Sequence, residues 1–342
     1  MNPPITIEQV RSPEEWNAYV CTHEYTPDTQ SWGYGEFYEA MGEKAYVFGV
    51  YHADQGLIGG TLAVTVRAKR GNFLYLPYGP LLDDLSSLEP LVHYLEEFAV
   101  DEGLDFIRMS PFIVRSEESE AYFEKLGFRD APLHMLAEHT WLLSLEQTEA
   151  DLFAGMNKNH RNLIRRCDRE GVRVEITDDP AKLPLFHHLL DTTARKHHFI
   201  RFSREYIDQE FIAASRFGEA RLFLAYLPTG DLDAAAIIYL FGNTCAYRHG
   251  ASRTLNKRLP TSYAIQWHAI REAQKNGMHF YNFWGIAPPH ATSHHPFFGI
   301  THFKKGFGGY SLELTHCKDL PLSSRYWLTW GVETVRKKKR GF

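Results

Sequence analysis

An internal repeat constrains this chain more than any other feature. RLFLAYLPTGD stands against AYVFGVYHADQ, DAAAIIYLF against GGTLAVTVR, AIQWHAIREAQKNGMHFYNF against VHYLEEFAVDEGLDFIRM, and THFKKGF against AYFEKLGF, in one order and at an offset of roughly 175 residues. The chain must therefore be buildable twice from one α/β unit. With 342 residues, 44% of them hydrophobic, each copy has enough material for its own core. The expected division is 1–145 and 146–315, near the strand HTWLLSL and before a helix start at Thr148 and Glu149, with 316–342 as a C-terminal segment.

The first copy reads element by element. A strand around Ile5 to Val10 precedes a helix start at Ser12, Pro13, Glu14 and Glu15, then a second helical patch, SWGYGEFYEAMG. AYVFGVYH, GGTLAVTVR and NFLYLPYGP are β-rich runs. The helix LEPLVHYLEEFAVDEG stops at Gly103, the strand DFIRMSPF follows, and AYFEKLGF is a short helix closing on Gly127 and Phe128. This order resembles the GNAT acyltransferase fold. The implied class is α/β (α+β): two tandem GNAT-like domains, each a mixed, mostly antiparallel sheet flanked by helices.

Charge narrows the partners. A net charge of -5 excludes nucleic-acid binding by the surface as a whole, so any such contact is a local basic patch. The four scattered cysteines suit a reducing, cytosolic setting. MNPPITIEQVRSPEEW has no apolar signal core and no stretch reaches the length of a membrane span, so the expectation is a soluble or at most peripheral protein.

Two basic elements stand in the second copy. In NKNHRNLIRRCDREGV the cations are Lys158, His160, Arg161, Arg165, Arg166 and Arg169, with Leu163, Ile164 and Cys167 as the inner side. Arg161, Arg165 and Arg169 recur on one helical face, fit either to meet successive phosphates or to pair with Asp168 and Glu170. Arg248, Arg253, Lys257 and Arg258 precede the next helix, as a phosphate site or a solvated loop. GNAT enzymes that use acetyl-CoA carry a Gln/Arg-x-x-Gly-x-Gly/Ala loop there, whose N–H groups hold pyrophosphate. Here the matching places read PYGPLLDDLSSLEP and HGASRTLNKRLPTS, and neither is that loop.

FFGITHFKKGFGG, taken alone, is a strand entering a glycine turn with its lysines in water. In the repeat it is the second copy of AYFEKLGF, with Phe303, Lys304 and Lys305 at the places of Phe123, Glu124 and Lys125. That exchange of acid for lysine points to contact with a charged acyl donor.

GMNKNHRNLIRRCDREGV, HGASRTLNKRLPTSYAIQWHAIREAQKNGMHFYNFWGI and FKKGFGG, with SWGYGEF, YLPYGPLL and FIRMSPF before them, resemble the FemABX family of peptidoglycan-bridge peptidyltransferases, in its shorter type without a helical arm. The resemblance implies an aminoacyltransferase that moves an amino acid from aminoacyl-tRNA, a co-substrate in place of any cofactor, to the stem-peptide amine of a lipid-linked or UDP-linked peptidoglycan precursor. It puts the acceptor on the 1–145 side and aminoacyl-tRNA on the 146–315 side, and has the last segment return to the first domain. Phe303 and Lys304 would stand at the tRNA acceptor end, the lysine stabilising developing negative charge. Lys158, Arg161, Arg165, Arg248, Arg253, Arg258 and Lys305 are the expected tRNA and phosphate contacts. On the acceptor side Ser110 stands where the family often has Asp, and Tyr38 and Tyr78 where it usually has cations nearby. A monomer is expected, cytoplasmic, with peripheral contact at the inner membrane face. Two alternatives stay open: a double-GNAT acyltransferase with another donor and acceptor, and a non-catalytic binding protein for tRNA or wall precursor.

His290, His294, His295 and His302 lack familiar zinc spacing, and His197 and His198 are either surface or core residues or the border of the acceptor-end pocket. Arg67, Lys69 and Arg70 read as a hairpin tip. At the C-terminus Trp327, Leu328, Trp330 and Val335 precede the basic run Arg336 to Arg340, suited to an anionic membrane or to a docked helix with a soluble tail.

Overall fold

The computed structural model describes residues 5–69, 71–197, 199–293 and 295–340. In chain order the first stretch holds β1 (Ile5–Gln9), α1 (Pro13–Val20), α2 (Trp32–Ala40), β2 (Ala45–His52), β3 (Gly56–Ala68), β4 (Gly71–Pro77), β5 (Leu81–Leu82), α3 (Leu88–Asp101), β6 (Phe106–Ser110), α4 (Glu117–Lys125) and β7 (Arg129–Asp130). The second holds β8 (His139–Ser144), α5 (Glu149–Gly155), α6 (Lys158–Arg169), β9 (Arg173–Thr177), α7 (Leu183–His197), α8 (Arg204–Arg216), β10 (Ala220–Tyr226), β11 (Leu232–Phe241), β12 (Thr244–Ser252), α9 (Thr261–Lys275), β13 (Phe280–Gly285), α10 (Phe298–Lys305) and β14 (Tyr310–Glu313). β15 (Lys318–Pro321) and α11 (Tyr326–Arg340) end the chain.

Local chemistry sets the helix starts. Ser12 Oγ accepts from Glu15 N–H at 3.1 Å with Pro13 in the first turn, and Thr148 Oγ1 accepts from Asp151 N–H at 3.1 Å. Asn157 caps α6 through the N–H of His160 at 2.8 Å.

The chain forms two compact units. One comprises the stretch ending at His139 together with Ala287–Pro296 and the stretch from Leu312; the other comprises Thr140–Ile286 and Phe297–Ser311. The strand HTWLLSL, expected to close the first domain, is β8 and belongs to the second sheet, antiparallel to β13 with Leu143 opposite Tyr281. Its apolar residues explain the placement: Leu143 and Leu145 pack with Phe283, Phe307 and Trp267.

Each unit repeats the same plan. The first sheet runs β1-β2-β3-β4-β6-β15-β7 with β5 beside β3, and the second runs β14-β8-β13-β12-β11-β10-β9. In each, an antiparallel meander is followed by a helix and a strand parallel to the last meander strand, β4 with β6 and β12 with β13. α3 covers the first sheet through Leu88, Leu91, Val92 and Leu95, packed on Phe48, Leu74 and Ile107. In the second, α9 places Ile265, Ala269 and Ile270 among Phe223, Ala236 and Tyr281.

The last segment belongs to the first unit. β15 lies between β6 and β7, pairing Asp319 with Arg108 and Lys318 with Asp130. Arg108 makes a bidentate pair with Asp319 at 2.7 and 2.8 Å and reaches Glu333 of α11 at 2.8 Å.

Candidate active site

The two parallel strand pairs differ at their C-terminal ends. In the first unit β4 and β6 stay paired from Phe73 and Phe106 to Pro77 and Ser110. In the second, β12 and β13 pair only from Thr244 and Phe280 to Ala246 and Asn282, and then part. Trp284, just past the parting, has φ 66°, a left-handed backbone that costs a bulky residue free energy, and its N–H is held by Asn282 Oδ1 at 2.8 Å.

At this opening lies the ammonium of Lys304. Its helix α10 buries Lys304 at 4% exposure, and Nζ donates to the carbonyl of Gly285, the last residue of β13, at 2.5 Å. Burial pushes the amine down to about 7. The lysine is therefore not in water, as the isolated reading of FFGITHFKKGFGG had it, and the segment is a helix. Lys305, one residue on, is exposed and lies over the Trp141 ring at 5.1 Å.

α10 is pinned by α6. Asn157 N–H donates to the Gly306 carbonyl at 2.9 Å, and His160 Nε2–H donates to the Phe303 carbonyl at 2.9 Å. A Cβ at Gly306 would overlap the His160 ring, so glycine is required by close approach. Gly309, at φ 100°, passes against the backbone of Leu142, where a side chain has no room. Phe303 packs edge-on against Tyr263 and Phe307 at 4.9 and 5.2 Å and so positions its neighbour Lys304.

Beside the opening, β12 bulges. Ile237 is opposite His249 but Ile238 is opposite Tyr247, which leaves Arg248 as the extra residue. Successive strand residues normally face opposite ways, yet the bulge brings Arg248 and His249 to one acid: Arg248 Nη2 donates to Glu210 Oε1 at 2.6 Å and His249 Nε2 lies 2.7 Å from Oε2. Burial would raise the Glu210 carboxyl, but Arg248 and His249 overcome it and hold the group below its usual range. Arg248 also lies over the Trp284 ring at 4.3 Å.

The basic residues expected to meet phosphate thus divide. Arg248 is not a loop cation: its side chain is 6% exposed and committed to Glu210. Arg161 donates to the carbonyls of Ala154 and Met156, closing the C-terminal end of α5. His160 is core, and Leu163 is only partly covered. Lys158, Arg165, Arg169 and Arg258 stay exposed, with Arg253 partly covered. Arg165 stands over Phe153 at 5.0 Å and lines a cleft of about 560 Å³ with Trp267, His268 and Arg271.

An acid fills the turn before α9. Asp233, fully buried, accepts from Leu255 N–H and from Thr261 Oγ1–H, each at 2.6 Å, at the first residue of the helix. A pyrophosphate at that helix start would meet a carboxylate.

On the first unit Ser110 is buried, its Oγ 3.2 Å from the Tyr75 hydroxyl and 3.8 Å from Cys317 Sγ. Burial, aided by Tyr38, Tyr34 and Cys317, raises the Tyr75 phenol well above its usual range, so it stays a donor. Tyr78 is buried and donates to the Ala137 carbonyl at 2.6 Å, while Tyr38 packs on Phe37 and Tyr34 at 4.9 and 5.5 Å. Arg67 and Lys69 are exposed at the β3–β4 turn, and Arg70, His198 and His294 lie outside the described residues. His197, His290 and His302 are exposed and His295 partly covered, and among the described residues no three His, Cys, Asp or Glu side chains are grouped to hold a metal.

Two units of meander, helix and parallel strand in one chain define the tandem GNAT-like class. The chain belongs to the FemAB family, whose model matches residues 12–233 and 230–329. It is 20% identical over 296 residues to a Lipid II:glycine glycyltransferase of Staphylococcus epidermidis, covering 66% of this chain and 70% of that protein. The crystal structure of FemX superposes with a TM-score of 0.84 at 18% identity, over 95% of this chain and all (100%) of that one. A tandem GNAT protein from the clavulanic acid biosynthesis pathway gives a TM-score of 0.58 at 10% identity, over 94% and 99% of the two chains. These structural likenesses establish the fold.

Proposed function

We propose that this protein moves an amino acid from aminoacyl-tRNA to the stem-peptide amine of a peptidoglycan precursor, lipid-linked or UDP-linked, and so builds an interpeptide bridge. Membership in the FemAB family supports the reading, as does the relative named for glycyl transfer to lipid II. The observation that carries it is Lys304, a buried amine at the parting of β12 and β13. Asp233 at the start of α9 speaks against a donor held there by pyrophosphate, as acetyl-CoA would be.

In this reaction the acceptor nitrogen attacks the ester carbonyl, the C–N bond forms, the C–O bond to the ribose breaks, and the ribose oxygen takes a proton. Charge develops first on the carbonyl oxygen. Lys304, as the ammonium, exchanges its bond to the Gly285 carbonyl for one to that oxyanion, which a water-poor site strengthens. Its lowered pKa also lets it give a proton to the departing ribose oxygen. The neutral acceptor amine loses its own proton to solvent or substrate, since Ser110 is bonded among Tyr75 and Cys317 and is no base. Exposed Lys158, Arg165, Arg258 and Lys305, with the partly covered Arg253, supply the local positive charge for tRNA phosphates.

The test is an incubation with a mixed pool of charged tRNAs and nucleotide-linked or lipid-linked stem peptides, read by mass spectrometry. The expected product is a stem peptide heavier by one or more amino acid residues, absent when the tRNA is uncharged. Transfer from an acyl-CoA donor instead, or binding without transfer, overturns the proposal.

A further inference from the structure

We propose that the outward face of α11 docks on an anionic bilayer surface. The helix has 15 residues and two unlike faces. Tyr326, Thr329 and Trp330 turn inward, and Glu333 on the same side bonds Arg108 at 2.8 Å. Tyr326 Oη–H donates to Asp319 at 3.2 Å, so the helix is fixed to the first sheet rather than fraying from it.

The other face is apolar and in solvent. Leu328 is 65% exposed, Val332 36% and Val335 53%. At about 100° per residue these three fall within roughly 60° of one another, on the side opposite Tyr326 and Glu333. Trp327, 48% exposed, borders the stripe, with the Arg129 guanidinium over its ring at 4.5 Å. A surface helix ordinarily turns such a stripe to its own core.

Charge chooses the occupant. Arg336 and Lys338 lie exposed on the two flanks of the stripe, in a chain whose net charge is -5. An apolar ridge with cations on both flanks fits a surface whose headgroups are anionic and whose interior is hydrocarbon. Among the described residues no helix is long and apolar enough to cross a membrane, so the contact is in the plane of the interface. Trp327 at one end suits the headgroup level.

The experiment is co-sedimentation of the full chain with phosphatidylglycerol vesicles and with phosphatidylcholine vesicles, at low salt and at about 1 M salt. Binding is expected to the first alone and to fall with salt. R336Q/K338Q is expected to weaken it about 30-fold, from about 1 kcal/mol per cation, and L328S/V335S at least about tenfold. All four side chains are exposed, so a thermal melt matching the parent is expected. Should L328S/V335S fail to fold, R336Q/K338Q decides alone. Undiminished binding by a folded variant overturns the proposal, as does a concentration-dependent dimer that L328S/V335S abolishes, which would give the face to a second copy. No substrate enters this measurement, so its failure is separable from failure of the transferase reading.

Discussion

Lys304 Nζ donates to the carbonyl of Gly285 at 2.5 Å, joining the last turn of α10 to the end of β13. The lysine is buried and burial lowers its pKa to about 7, so the folded protein carries a charge it would be more stable without. Lys304→Ala is expected to cut transfer by about 10²- to 10³-fold. Lys304→Met is expected to do the same while raising the unfolding free energy at pH 6 by about 1–3 kcal/mol. Below pH 7 both folded and unfolded chains hold the proton and the penalty is complete; it is relieved as pH rises from about 7 towards the unfolded value of about 10.4. Denaturant melts of the two proteins at pH 6 and pH 9 check this, and a gain larger at pH 9 would contradict it.

Glu210 accepts from the buried Arg248 guanidinium and lies 2.7 Å from His249 Nε2, and its loss takes that acid from both. Glu210→Ala is expected to destabilise the second unit by about 3–5 kcal/mol. Because Arg248 lies over Trp284, the same change should loosen the parting of β12 and β13. Urea unfolding and the intrinsic tryptophan spectrum report the two effects.

The basic residues of α6 and of the turn before α9 should separate by salt dependence. Lys158→Ala, Arg165→Ala and Arg258→Ala are each expected to lower the salt slope of tRNA binding by roughly one, as loss of a phosphate contact does. Arg161→Ala, whose guanidinium is bound to Ala154 and Met156, should leave the slope unchanged and lower the melting temperature. Filter binding across a salt series, with melts alongside, would detect an exchange of these roles.

His316 lies 2.8 Å from Glu138 and donates Nε2–H to the Ala131 carbonyl at 2.9 Å. Burial alone would lower His316, but Glu138 raises it above its usual value. Burial would raise Glu138, but His316 and the Cys317 N–H hold it below the ordinary range. The acid's share of stability is present above about pH 4.5 and lost as pH falls through its lower folded value; the histidine's is present below about 6.5 and lost as pH rises through its higher one. His316→Gln should therefore cost most between about pH 4.5 and 6.5 and least near pH 9, as melts across that range would reveal.

Much of the architecture is legible in the sequence. The aligned AYFEKLGF and THFKKGF are α4 and α10, and Thr148 caps the helix that it was expected to start. Helical spacing likewise put Ile164 and Cys167 inside α6. What escaped was whatever depends on long-range partners. Arg248 stands in a run of cations, and nothing there announces the bulge that turns it to an acid 38 residues earlier. His160 looks basic until Gly306 leaves room for its ring and Phe303, 143 residues away, accepts its bond. The placement of β8 in the second sheet is not legible, because a strand at a boundary offers apolar residues to either sheet. α7 and α8 had no counterpart in the quoted repeats, since amphipathic helices need only periodicity and not shared residues.

β15 has an effect on how the protein comes into being. It lies inside the first sheet, between β6 and β7, although Asp319 is 211 residues beyond the Arg108 it pairs with. While the chain emerges from a ribosome, β6 and β7 have no strand between them and Arg108 lacks its Asp319 partner until the second unit has been made. The unit that begins first is thus finished last, and a chain cut off after α10 would leave an open seam between two sheet edges.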